Sequence, residues 1–127
     1  MGLDNGIIYR GPRSVGWLGR RVVREVRPDY VEICYWRKMW GLRREIMGIL
    51  NAKTSLDIYE YELTAENVRS IRKSVVWYIL HPKGWDMDNF WTYKEVVCGL
   101  FRDIMALTYL LHLMQRSYDS VYFYDSF

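Results

Sequence analysis

The stretch from Thr92 to Met114 constrains the fold more than any other part of this chain. Val96, Leu100, Ile104, Leu107 (or Thr108), Leu111 and Met114 recur at helical spacing, which places them on one face. Thr92 with Glu95 three residues later is the signature of a capping box at the helix start. Val97, Phe101, Met105 and Leu110 widen the apolar face. A helix apolar over so much of its circumference belongs at the centre of a core or at an interface between subunits. Other elements must therefore be laid against it, and 127 residues, 50% hydrophobic and 26% charged, amount to about one ordinary domain.

Those elements are legible in outline. Gly6–Tyr9 and Arg21–Val26 are rich in β-branched and aromatic residues beside the turn-prone Gly11-Pro12-Arg13-Ser14 and Arg27-Pro28-Asp29, so short strands or extended loops are expected there. Tyr30–Tyr35 reads as a further strand running directly into a helix, in which Trp36, Met39, Leu42 (or Arg43), Ile46 and Leu50 form the apolar stripe and Asn51 is the stop. Ser55–Leu63 alternates like a half-exposed strand. Thr64 then caps a helix whose stripe is Val68, Ile71, Val75 and Tyr78, with Pro82 ending it after His81. Val121–Phe127 reads as a strand closing a small sheet. The expectation is a single α+β domain, three helices packed on a sheet of about four or five short strands.

Charge is spread unevenly along this framework. Between Arg10 and Arg44 there are ten Lys/Arg against three acids, a net +7, although the whole chain carries only +3. Nine of those cations are arginines, and Trp17, Tyr30, Tyr35, Trp36 and Trp40 lie among them. Arginine offers a planar fork that grips phosphate or carboxylate with two prongs and stacks on flat rings. Cations interleaved with rings suit a nucleotide or nucleic acid, because charges hold phosphates while rings stack on bases. Equally, such a run can be a solvated face paired with the acids of the remaining chain.

Catalytic and metal signatures find no support. His81 and His112 fall in different helices with no carboxylate at ligand spacing, and His81 reads as a helix C-cap. Asp86-x-Asp88-Asn89 begins like a calcium loop, but Trp91 and Val97 stand where glycine and a bidentate glutamate are needed. No nucleophile elbow, phosphate-binding P-loop or dinucleotide fingerprint is present. Cys34 and Cys98 are expected to be buried thiols. No catalytic residue, metal or cofactor is therefore expected. No run approaches the roughly 18 consecutive apolar residues of a membrane span, and MGLDNGIIYRG lacks the order of a secretory signal. A soluble, cytoplasmic protein without membrane association is the expectation.

Met1-Gly2-Leu3-Asp4 and Tyr35-Trp36-Arg37-Lys38 resemble a family of small proteins from tailed phages and prophages, which open M-G-L-D-M and carry V-G-Y-W-R-K-A-N-x-I-H-x-W-F. Tyr61–Val68, Asp88–Glu95 and Tyr122–Phe127 are similar, in the same order, to that family's Y-x-V-S-R-E-Q-L, its aromatic and acidic entry to the last helix, and its Y-Y-x-S-W ending. The signature departs at Met39-Trp40, which replaces A-N, and at Arg43, which stands in place of His. Arg43 can keep a contact to an anion but gives up proton transfer, because arginine stays charged. The resemblance implies a phage or prophage origin, and with it the cytoplasm of a host cell.

Taken together, these readings lead to a non-enzymatic accessory protein that binds a small anionic, nucleotide-type ligand and sequesters a host defence signal. Tyr35, Trp36, Arg37, Lys38, Trp40, Arg43 and Arg44 are the expected ligand-binding residues, with cations on phosphates and Tyr35, Trp36 or Trp40 on a base. The alternatives are a protein-interaction module that inhibits a host defence protein, and a nucleic-acid-binding protein. A homo-oligomer is expected from the breadth of the last helix's apolar face.

Overall fold

In chain order the elements are β1 (Asp4–Arg10), α1 (Trp17–Val22), β2 (Glu25–Val26), β3 (Val31–Arg37), α2 (Trp40–Ile49), β4 (Glu60–Glu62), α3 (Ala65–Leu80), α4 (Tyr93–Met114) and β5 (Ser120–Ser126). They come from a computed structural model that describes residues 4–10, 16–37, 39–51, 60–81, 93–115 and 120–126. The strands form one antiparallel sheet in the order β2-β3-β1-β5-β4. Helices and sheet together make the α+β architecture that the sequence pattern predicts. A fourth helix, α1, is added; its last residues Arg21 and Val22 fall in the Arg21–Val26 stretch expected as extended chain, of which only Glu25 and Val26 are strand.

Side-chain alternation divides the sheet into two faces. Ile7, Tyr9, Val31, Trp36, Val121 and Phe123 point into the core with Leu42, Ile46, Val68, Ile71, Val75, Leu100, Leu107 and Leu110 of the helices. The opposite face is polar and aromatic: Arg10 grips Glu60 with two hydrogen bonds of 2.9 Å, Tyr35 donates to Asp4 at 2.8 Å, and Arg10 lies over the Tyr122 ring. In β3 the alternation is broken. Ile7 pairs with Cys34 but Ile8 with Glu32, so Ile33 is an extra residue in the ladder. This bulge lets consecutive Ile33 and Cys34 both be buried, then turns Tyr35 outward and Trp36 inward.

Strand β1 has a close-approach glycine at its centre. A Cβ on Gly6 would collide with the Cys34 carbonyl oxygen and stand 2.8 Å from the Tyr124 hydroxyl, and the backbone neighbour cannot be displaced without opening the ladder. Gly6→Ala is therefore expected to destabilise the fold by about 1–3 kcal/mol, read as a lower urea midpoint. An unchanged midpoint would show that the sheet spreads freely at this place.

Helix ends follow local chemistry. Thr64 and Asn67 cap each other's backbone N–H groups at 3.1 and 3.0 Å, and His81 Nδ1 lies 2.8 Å from the Trp77 carbonyl oxygen at the other end of α3. Asn51 ends α2 in the left-handed region, φ 51°, its N–H donating to Gly48. Helix α4 is long and apolar enough to cross a membrane by length and composition. Its inner face, however, is committed to the core through Leu100, Leu107 and Leu110, and Arg102 and Asp103 interrupt it midway. The expected capping pair at Thr92, the Asp86–Asn89 loop and the Ser55–Tyr59 part of the expected strand lie outside the described residues.

Candidate functional site: an arginine-rimmed cleft

Strand β2 pairs only with Val31 and Glu32, so beyond Ile33 strand β3 has β1 as its only neighbour in the sheet among the described residues. Against this side of β3 lies the first half of α4, and between them opens a cleft of about 280 Å³. Tyr35, Trp36 and Arg37 line it from the strand, Met39 from the turn into α2, and Glu95, Gly99, Arg102 and Asp103 from α4. Arg24 reaches it from the turn between α1 and β2, its guanidinium 5.9 Å from the centre of the Tyr35 ring. Three arginines from three separate elements thus meet at one opening.

Beneath them sits a carboxyl group. The Trp36 indole N–H donates to Asp103 Oδ2 at 2.7 Å, and the fully buried Cys34 thiol is hydrogen-bonded to the same carboxyl. Burial pushes the Asp103 carboxyl up from its ordinary value of 3.8 to about 7, against the pull of Trp36, Cys34, Arg102 and Arg24. Near neutrality the group is therefore about half protonated, which keeps the opening more positive than its residue count suggests. The Cys34 thiol is driven well above its ordinary range by burial and by Asp103, so it is inert. Cys98, by contrast, is exposed, which corrects the expectation that both thiols are buried: Cys98 falls on the outer side of α4.

The expected ligand residues are divided among several places. Tyr35, Trp36 and Arg37 line the cleft. Trp36 and Arg37 stand in β3, not in the first helix as their spacing predicts, because the strand continues to Arg37 and α2 begins at Trp40. The Trp36 ring is buried against the core, while Tyr35 is half-buried. Lys38 lies outside the described residues. Trp40 is half-buried and Arg44 exposed on α2. Arg43 is buried: its guanidinium grips Asp125 through Nε–Oδ1 at 2.9 Å and Nη2–Oδ2 at 2.7 Å. That pair ties α2 to the end of β5. Asn5, the cross-strand partner of Asp125, is buried too, and its amide nitrogen has no hydrogen-bond partner among the described residues.

Sequence reasoning missed Arg102, Asp103 and Glu95 as cleft residues and gave Arg24 no individual role. A signal existed in Arg102-Asp103, the charged pair that interrupts an otherwise apolar helix. Among the described residues no group of three His, Cys, Asp or Glu side chains could hold a metal ion. No family model matches the chain, and no curated protein or solved structure matches it.

Proposed function

We propose that this protein is a non-enzymatic binder of a small anionic ligand of the nucleotide type, seated in the cleft between β3 and α4. The convergence of Arg24, Arg37 and Arg102 on one opening carries the reading. Their forks hold phosphate oxygens in this scheme, and Tyr35, half-buried on the rim, is the ring available to a base. Trp36 supports the floor through Asp103. In a phage or prophage setting such a protein acts by sequestration, removing a host defence signal through tight binding without turnover.

The nucleic-acid reading draws on the same arginines. On the sheet's polar face, however, Asp4, Glu32 and Glu60 accompany the tyrosines, and carboxylates there repel a phosphate backbone.

Calorimetric titration with a panel of ribonucleoside mono-, di- and triphosphates, with inorganic phosphate as the control, tests the proposal. One member should bind, and Arg24→Ala, Arg37→Ala and Arg102→Ala should each weaken it by roughly ten- to a hundredfold, the loss of a charge-assisted hydrogen bond. Arg44→Ala, away from the cleft, should change little. Absence of binding across the panel, or wild-type affinity in all three cleft variants, would remove the proposal. Steeply salt-dependent binding to oligonucleotides alone would move it to nucleic acid.

A further inference from the structure

Helix α4 buries one face in the core and leaves another uncovered. Phe101 and Met105, one turn apart on its outer side, are 55% and 54% exposed, and on the adjoining α3 Val76 and Leu80 are 39% and 69% exposed. The two helices are neighbours, with Arg72 donating to Thr108 across their line of contact at 3.1 Å. Ile104, Met105, Thr108, Tyr109 and His112, with Val22 of α1 at its edge, continue the strip as a groove along α4. This face is separate from the arginine cleft, which lies on the side of α4 that carries Glu95, Gly99 and Arg102.

We propose that this face is a homodimer interface in which α4 packs antiparallel against α4 of a second copy, with Met105 near the two-fold axis. Size is the first support. Stable dimers bury about 800 Å² per partner, close to a tenth of this chain's 8075 Å². A 22-residue helix is about 33 Å long, and with α3 beside it the face is on the order of 20 Å wide, about 660 Å² in projection, at the lower end of the roughly 600–1,000 Å² per partner of standard interfaces.

Symmetry is the second support. A two-fold contact must be self-complementary, and the apolar residues lie mid-length, with Met105 near the centre of the Tyr93–Met114 helix. A two-fold at that point stacks the patch on itself and places Phe101 beside Tyr109 of the other copy. Charge agrees: Lys94, exposed near the start of α4, then faces the carbonyl end of the partner helix, where a cation is favoured. The rim also carries both signs, with Glu66 exposed on α3 along with Arg69 and Lys73. Interfaces between proteins have such a rim, whereas a face made for anionic lipid is basic throughout.

Sedimentation equilibrium of the full chain decides the matter. The wild type is expected at twice the 15.4 kDa chain mass, and Met105→Glu and Phe101→Glu at the single mass, with unchanged far-ultraviolet circular dichroism. In a Cys98→Ser background, Met105→Cys should cross-link to itself on mild oxidation, since a residue near the axis meets its own copy, while Arg69→Cys should not. A wild type that stays monomeric up to about 100 µM, or a dimer indifferent to Met105→Glu and lacking the Met105→Cys cross-link, overturns the proposal. Flotation of monomeric wild type with phosphatidylcholine–phosphatidylglycerol vesicles would overturn it in favour of a membrane surface.

Discussion

Arg43→Ala is expected to lower folding stability by about 3–5 kcal/mol, because it strands the Asp125 carboxylate in the interior without a counter-charge. Typical domains have only about 5–15 kcal/mol to lose, so the variant should be poorly soluble when expressed. The environment sharpens the effect: Asp125 is 6% exposed, and among the described residues its cross-strand partner Asn5 already has an amide nitrogen without a partner. Asp125→Ala should cost a similar amount for the reciprocal reason. The double replacement Arg43→Met with Asp125→Leu should be less damaging than either single truncation, since two apolar groups leave no charge behind. Urea unfolding of the three variants provides the measurement. A loss below about 1 kcal/mol in Arg43→Ala, the value of an exposed pair, would mean that water reaches this guanidinium.

Asp103→Asn should change how stability depends on pH. The folded-state value of the wild-type carboxyl is raised from 3.8 to about 7, so the folded protein binds this proton more tightly than the unfolded chain does. Its contribution is then fully present below about pH 4, is lost as pH rises through 7, and is absent above. Each tenfold difference in proton affinity between the folded and unfolded chain is worth roughly 1.4 kcal/mol, so the change across that window is on the order of 4 kcal/mol. The asparagine variant keeps an acceptor for the Trp36 indole and carries no charge, so it should be more stable than wild type at pH 8 and the difference should shrink towards pH 4. Subtracting its stability curve from that of the wild type isolates this group from Glu32, whose value burial also raises. Parallel curves for the two proteins would show that Asp103 titrates normally. If the cleft holds an anion, affinity should fall through the same window in the wild type only, because the ionised carboxylate repels the ligand.

The parts of this fold that were legible in the sequence are those with local punctuation. Helix α3 begins at a side-chain cap, Thr64, and ends before Pro82, and β5 alternates cleanly, so their limits follow from nearby residues. The passage from β3 into α2 has no such punctuation. Met39, at the N-cap of α2, makes no side-chain cap bond, and the bulge at Ile33 breaks the strand's period, so a helical spacing can be read back to Trp36. Helix α1 was hidden for a similar reason: it has six residues, a Gly16 cap with no side chain and no acid in its first turn. The cleft was only partly legible. Tyr35, Trp36 and Arg37 stood out as a cluster, but Arg102 and Asp103 join them through packing across the chain, which no local pattern encodes. Arg43 was misleading in the same way, since its partner Asp125 is 82 residues away.

The pairing of β1 with β5 at the middle of the sheet governs the order in which this molecule can assemble. Asp4 meets Ser126 and Arg10 meets Ser120, so two strands far apart in the sequence form the inner ladder. Among the described residues, strand β4 is joined to the sheet only through β5. While the polypeptide emerges from a ribosome, β1 and β3 can find each other early, but one side of β1 waits for residue 126. The nascent sheet therefore holds an open edge until residue 126 has been made, and closing it spans the whole stretch between Arg10 and Ser120. Refolding should be slow for a protein of this length, in the millisecond-to-second range of topologies dominated by distant contacts.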